Sequence, residues 1–253
     1  MNISISVIIL TRNEEERIEE CLKSISWASE IIVVDNGSID KTVDLAKKYT
    51  PHVIYSDSRD FASLRNLGLS RAHGDWVLYL DADEQVTDAL REKIIETTKN
   101  FTRLSPGGYF IERKNYYLGS LWPTRDKMHR LFWRKALKGW QGELHETAIV
   151  DGQIATIEEP LIHMTHRTLE EMVAKTNEWS AVEAKLRFDA GHPAIVPWRL
   201  FRVFFTGFAN TYFAGGGWKA GVVGIIESLY QGFSLFITYA KLWELQQKDK
   251  LLK

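Results

Sequence analysis

Asp81 and Asp83 follow directly on an apolar run, Trp76-Val77-Leu78-Tyr79-Leu80, with only Ala82 between them and Glu84 next. Like charges this close repel, and they need a compensating cation or a solvated turn. Carboxylates without clustered cysteine or histidine suit a hard cation such as Mg2+ or Mn2+. Mg2+ takes one or two protein carboxylates and completes its shell with water and phosphate oxygens. In an extended turn residues two apart point the same way, so both aspartates could face one diphosphate. Other uses of Asp-x-Asp fit less well. An EF-hand loop opening at Asp81 needs Gly at position 86, where Val86 stands. A phosphoaspartyl phosphatase would carry the pair on its first strand, not its fourth. Nothing in the sequence gives Glu84 a role.

The elements that must position these carboxylates are legible as alternating apolar runs and helical spacings. Ile3 to Leu10, Ile31 to Val34, Val53 to Tyr55 and Trp76 to Leu80 read as short buried strands. Helices are expected over Glu14 to Ile25, with Asn13 as cap, over Asp40 to Lys48 and over Phe61 to Arg71. Strands alternating with helices, each strand a near-continuous apolar run, predict an α/β fold with a mostly parallel sheet covered on both faces. Ligands of such sheets sit beyond the carboxyl ends of the strands. Those ends carry Thr11-Arg12-Asn13-Glu14, Asp35-Asn36-Gly37-Ser38, Asp57 and Asp81-Ala82-Asp83, which puts donors, acceptors and carboxylates on one rim.

After residue 98 the pattern loosens into a mixed region with strands at Tyr109-Phe110-Ile111 and Leu131-Phe132-Trp133. Thr168-Leu169-Glu170-Glu171 then has the form of a capping box and opens a helix to about Phe188. Charge is segregated. Residues 1–98 hold 11 basic and 18 acidic side chains, whereas 99–139 hold 10 and 2. The basic block predicts contact with something anionic, through Arg113, Lys114, Arg125, Lys127, Arg130 and Arg134. Nucleic acid is not expected, because no binding motif for it is visible. The single cysteine, Cys21, excludes an internal disulfide and fits a reducing compartment, and the N-terminus lacks the features of a signal peptide.

From 221 to 243 Glu227, Gln231, Ser234, Thr238 and Lys241 fall at steps of four and three, one narrow stripe on a mostly apolar helix. Arg199, Arg202, Thr206 and Asn210 repeat the arrangement in the preceding segment, and Gly215-Gly216-Gly217 joins the two. Helices lying in a membrane interface are expected. The alternatives are packing on the sheet domain or on a second subunit of a homo-oligomer, or a spanning hairpin.

SVIILTRNEE, IIVVDNGSIDKT, ASLRNLGLSRAHGDWVLYLDADE and GELHE, in that order, resemble the motifs of family 2 inverting glycosyltransferases with a GT-A fold. The second motif has Asp35-Asn36 where the family usually has Asp-Asp. The tail is similar to the lipopolysaccharide core β-1,4-glucosyltransferase subgroup. The resemblance implies a Rossmann-like GT-A catalytic domain at 1–165, with a nucleotide-sugar half (1–98) and an acceptor half (99–165). A helical region that associates with membrane or oligomerises would follow at 166–253. It implies metal-dependent transfer of a hexose, glucose from UDP-glucose, to a glycan or lipid-linked anionic acceptor on the inner face of the cytoplasmic membrane. Thr11, Arg12 and Glu14 would line the uridine pocket, Asp35 would hold uracil or ribose, and Arg65 would reach the nucleotide. Asp81 would touch ribose or metal, and Asp83 would ligate an Mg2+ or Mn2+ ion. Glu146 is the expected general base and His145 a diphosphate or metal contact, with Glu143 a loop carboxylate. The alternatives are a sugar-phosphate nucleotidyltransferase, disfavoured because no Gly-rich loop follows the first strand, and a non-catalytic membrane-bound scaffold.

Overall fold

A computed structural model describes residues 3–58, 60–142, 146–165 and 168–251, without the side chains of 249 and 250. The chain divides into two compact units, Met1–Lys114 with Arg125–His163, and Asn115–Thr124 with Met164–Lys253. The short segment Asn115–Thr124, expected within the catalytic domain, groups with the C-terminal helices.

The first unit is built on a sheet. β1 (Ile5–Thr11), β2 (Glu30–Asp35), β3 (Val53–Tyr55) and β4 (Trp76–Asp81) pair in parallel in the order β3-β2-β1-β4. β4 then pairs antiparallel with β8 (Asp126–Trp133), which pairs antiparallel with β6 (Gly108–Tyr117). β11 (Ile154–Thr165) and the two-residue β5 (Glu84–Gln85) close this path, and β7 (Ser120–Leu121) pairs with β6. The sheet is therefore mixed, parallel in its first half, with antiparallel pairings of β4 with β8, β8 with β6 and β11 with β5 beyond it. β9 (Leu137–Gln141) and β10 (Thr147–Val150) form a separate antiparallel ribbon.

Every residue of β1 is buried, because the strand is covered on both faces. Val7, Ile9, Val33, Leu78 and Leu80 pack with Ile18 and Leu22 of α1 (Ile18–Ser24), with Ile25 at its C-terminal cap, and with Leu90 and Ile94 of α4 (Asp88–Lys99). Ile8, Leu10, Val34, Val77 and Tyr79 pack on the other face with Ala62 and Leu64 of α3 (Phe61–Arg71). α3 comes very close, since a Cβ on Gly68 would lie 2.4 Å from Ile8 Cγ2. Asp60 caps α3 by accepting from the Ala62 and Ser63 amides, and Thr87 caps α4. Asn13 does not cap α1, which begins only at Ile18. Instead Asn13 adopts φ 54°, and its side-chain oxygen accepts from the Ile39 amide. The short α2 (Thr42–Ala46) covers less chain than expected.

In the second unit, α5 (Leu169–Asp189) starts where the capping box predicts, with Thr168 Oγ1 accepting from the Glu171 amide. α6 (Pro197–Ala209) and α7 (Gly221–Leu251) pack together, and α7 also packs on α5. The polar stripe of α7 is turned inward. Glu227 and Thr238 are buried, and Lys241 donates to Asn177 Oδ1 at 3.0 Å. On the same helix Val222, Ile225, Leu229 and Phe233 are exposed, as are Trp198, Phe201 and Phe205 on α6. Among the described residues α7 is the one helix long and apolar enough to cross a membrane.

Glu30 ties the amino ends of the parallel strands together. It accepts from Ser6 Oγ at 2.5 Å, from the His73 amide at 2.9 Å and pairs with His73 Nδ1 at 2.9 Å. Burial would raise its pKa, but the hydrogen bonds from His73 and Ser6 outweigh it and hold the carboxyl below its usual range. A depressed folded-state pKa adds stability above the unfolded value, about 4.3, that is lost as pH falls through the folded value. The denaturant midpoint is therefore expected to drop on acidification below about pH 4.3, and Glu30→Gln should lower it at neutral pH and flatten the acid slope. An unchanged slope in Glu30→Gln, measured by urea titration, contradicts this.

Candidate functional site

The strand register assembles the rim. Thr11 is paired with Asp35 across β1 and β2, and Leu10 with Asp81 across β1 and β4, so three carboxyl ends stop level with one another. Asp35 Oδ2 accepts the Gly37 and Ser38 amides, both at 3.1 Å, which folds the loop back over the strand end. Asp35 Oδ1 and Thr11 Oγ1 stay buried without a hydrogen bond. The loops after β1 and β2 are stitched together, the Glu14 amide donating to Thr42 Oγ1 at 2.7 Å and the Asn13 amide to Ser38 Oγ at 2.9 Å. Arg12 is exposed on the first of these loops.

Asp81 is compensated by the protein itself. Arg130 Nη2 lies 2.5 Å from Asp81 Oδ2, and Arg65 Nη2 lies 3.4 Å from Asp81 Oδ1. Burial would raise the Asp81 pKa. Arg130 and then Arg65 overcome it and hold the carboxyl well below the usual carboxylate range. The same Arg130 nitrogen donates to Glu84 Oε1 at 2.6 Å, and Glu84 Oε2 accepts the Asp81 amide at 3.1 Å. Arg130 and Glu84 are fully buried. Arg113 adds a second guanidinium to Glu84 at 3.2 Å and also pairs with Asp126. Glu84, to which the sequence gives no role, is thus the buried partner of Arg130. One sequence expectation is corrected here: Arg130 cannot contact an external anion because strand β8 delivers it into the sheet beside β4. Arg113, too, is mostly buried in ion pairs. Two of the ten basic side chains of the block, Arg113 and Arg130, thus answer the acidic rim from within, while Arg125, Lys127 and Arg134 remain exposed.

Arg65 links the two halves of the site. Its Nε donates to Glu146 Oε1 at 2.9 Å, while its guanidinium carbon sits 4.8 Å from the Trp140 ring centroid and 5.5 Å from that of Tyr79. Such stacking on a partly desolvated cation is attractive and fixes the plane of the fork. Its neighbour Asn66 pins β9 by donating to the Trp140 carbonyl at 2.9 Å and accepting its amide at 2.8 Å. The Leu-Arg-Asn triplet therefore holds both the β9–β10 ribbon and the Glu146 carboxylate at its end. Arg65 Nη1 is buried without a hydrogen bond. His145 and Glu143 lie outside the described residues.

Asp83 has different surroundings. β5 pairs with β11 so that Glu84 faces His163, and this brings His163 Nε2 to 3.4 Å from Asp83 Oδ2. Arg17, itself paired with Glu14 at 3.0 Å, lies 3.9 Å away. Among the described residues no group of three or more His, Cys, Asp or Glu is placed to hold a metal. A carboxylate with an adjacent imidazole is nevertheless the partial donor set that fits a divalent cation drawing its other ligands from water and phosphate. His163 carried no sequence signal, since it lies 80 residues from Asp83 and only the β5–β11 pairing joins them. Cys21 is no ligand or nucleophile: burial, and then the carboxylates of Glu84, Asp83, Asp81 and Glu14, push its thiol well up.

Residues 6–146 match the family model described as Glycosyl transferase family 2. The chain belongs to that family. It is 25% identical over 256 residues to the lipopolysaccharide core biosynthesis glycosyltransferase LpsC of Rhizobium meliloti (strain 1021), covering 96% of this chain and 93% of that protein. It is 28% identical over 262 residues to an uncharacterized glycosyltransferase of Rickettsia bellii (strain RML369-C), covering 95% and 86%. Among solved structures it is similar to the mannosyltransferase PcManGT from Pyrobaculum calidifontis in complex with GDP-Man and Mn2+, at 17% identity and TM-score 0.57 over 96% and 88% of the two chains. S. aureus TarS 1-349 in complex with UDP-GlcNAc aligns at 16% identity and TM-score 0.51 over 98% and 92%. These two likenesses establish the GT-A fold.

Leaving a buried charge without its partner costs about 3–5 kcal/mol. Arg130→Met should destabilise the protein by that order in chemical denaturation, and adding Glu84→Gln should recover part of the loss. A change under about 1 kcal/mol, the scale of an exposed ion pair, would remove Arg130 from its place at the centre of the site.

Proposed function

We propose that this protein is a metal-dependent inverting glycosyltransferase that moves a hexose, glucose from UDP-glucose, onto a glycan or lipid-linked acceptor such as lipopolysaccharide core. The observation that carries it is the level rim formed by Thr11, Asp35 and Asp81, with Asp83 two residues beyond it and the Asp35 Oδ1 acceptor and the Thr11 hydroxyl buried and unbonded. A nucleobase edge or ribose supplies the directional donors and acceptors that such groups lack. The name of the R. meliloti relative supports an envelope acceptor, and the sugar nucleotides in the two similar structures support a nucleotide-sugar donor.

Thr11, Arg12, Glu14 and Asp35 would bind the nucleoside, and Arg65 Nη1 would donate to the nucleotide. Asp83 and His163 would hold the Mg2+ or Mn2+ ion, with Asp81, already engaged by two arginines, contacting ribose rather than metal. The ion would stabilise the charge that grows on the departing diphosphate. Glu146 would take the proton of the acceptor hydroxyl as its oxygen bonds to the anomeric carbon and the bond to the diphosphate breaks. Arg65, whose Nε donates to Glu146 Oε1, would position that carboxylate for the acceptor hydroxyl. His145 keeps its proposed place against diphosphate or metal. The exposed apolar faces of α6 and α7, with Trp198 beside Arg202, Trp218 beside Lys219 and an exposed Trp243, support association with the inner face of the cytoplasmic membrane, or with a second copy of the chain.

The test is a panel of UDP- and GDP-sugars incubated with Mn2+ or Mg2+ and scored for donor hydrolysis. UDP-glucose should turn over, chelation should stop it, and Asp83→Ala should abolish it with the fold intact. Full turnover in Asp83→Ala sinks the mechanism.

A further inference from the structure

The helical unit contains a cleft of about 290 Å³ whose lining comes from three separate elements. Tyr117 and Trp122 flank the β6–β7 hairpin, Asn210 and Thr211 belong to a single π turn that ends α6, and Glu227 and Gln231 come from α7. None of the proposed donor residues is among them.

Each contributor is held in place. The hairpin turns through Leu118 and Gly119 with φ 48° and 77°, the left-handed pair of a type I′ turn, a conformation leucine adopts only under constraint. The Trp122 amide donates to the Asn115 carbonyl at 2.8 Å, and the Tyr117 and Trp122 rings meet at a centroid distance of 4.9 Å and an angle of 65°. The Gly215 amide reaches back to the Asn210 carbonyl at 2.7 Å, which widens the helix end, and π turns of this kind recur at functional sites. Glu227 is only 2% exposed and accepts from Gln231 Nε2 at 2.7 Å.

The chemistry of this lining is selective. A carboxylate accepts, two amides both donate and accept, a hydroxyl does both, and two aromatic rings offer flat apolar faces. Among the described residues no basic side chain lines the cleft, so a phosphate or nucleotide meets no counter-charge from them. An acyl chain would leave the polar groups without partners, at a desolvation cost. A pyranose matches on both counts, with vicinal hydroxyls around its edge and a CH-rich face. We propose that this cleft binds a neutral sugar residue of the acceptor glycan, a second carbohydrate site apart from the donor site. The proposal rests on the transferase reading for the identity of the glycan. The rival is an aromatic cage for an organic cation, built by Tyr117, Trp122 and Glu227. It leaves Asn210, Thr211 and Gln231 unused.

The experiment is saturation-transfer NMR on the full chain with two probes, a deacylated and dephosphorylated lipopolysaccharide core oligosaccharide and tetramethylammonium. Wild type should show transfer to the oligosaccharide. Asn210→Ala, at an exposed position, should bind it about fivefold more weakly, the effect of one lost hydrogen bond. Glu227→Gln should also weaken it, with thermal melting reporting whether that variant folds. No oligosaccharide signal in wild type, or equal binding in Asn210→Ala, overturns the proposal. So does tetramethylammonium binding that displaces the oligosaccharide and is lost in Glu227→Gln. The readout needs no sugar nucleotide. Oligosaccharide binding without donor turnover would sink the transferase reading alone, and turnover with no binding at this cleft would sink this site alone.

Discussion

Arg130 lies out of solvent between Asp81 and Glu84 and joins strands that are far apart in the chain. It answers the repulsion between neighbouring carboxylates that the sequence poses at residues 81–84. Glu84 is drawn inward to the guanidinium, and its second oxygen accepts the Asp81 amide, so the turn after β4 closes on itself. That closure sets the direction in which Asp83 leaves the strand, toward His163. Neither side of the pair tolerates loss of the other, because the interior offers no water to replace it. The parallel half of the sheet supplies the rim, but the antiparallel half supplies the charges that allow carboxylates to crowd there.

Asp81 and Asp83 have different neighbours: Asp81 meets a guanidinium at each oxygen, whereas Asp83 has His163 beside it and Arg17 at 3.9 Å. An ion competing for Asp81 would have to displace two arginines held by burial and stacking. At Asp83 an imidazole beside the carboxylate adds a donor. Under the proposed function the motif divides into a structural aspartate and one that would face the ion, with Arg65 lying between the first and Glu146.

The parallel half was legible in the sequence because its signals are local. Continuous apolar runs mark β1, β2 and β4, polar residues mark their ends, and the register that levels Thr11, Asp35 and Asp81 follows once the strands are adjacent. Arg130, Glu84 and His163 were not legible, because each acquires its meaning from a distant antiparallel pairing that leaves no periodic trace. Counting charge in blocks even misdirects at Arg130: a basic strand looks like a surface for an anion when its partner is the protein's own acidic rim. The stripe on α7 misleads in a similar way. Helical spacing identifies a polar face without saying whether it meets water or other helices, and here Glu227 and Thr238 turn inward while Val222, Ile225 and Phe233 face out.

The division between the two aspartates is most directly measured by Mn2+ electron paramagnetic resonance in the presence of UDP, comparing wild type with Asp81→Asn and Asp83→Asn. The account predicts protein-bound Mn2+ in wild type, retained in Asp81→Asn and lost in Asp83→Asn. Loss of bound Mn2+ in Asp81→Asn with retention in Asp83→Asn would contradict it.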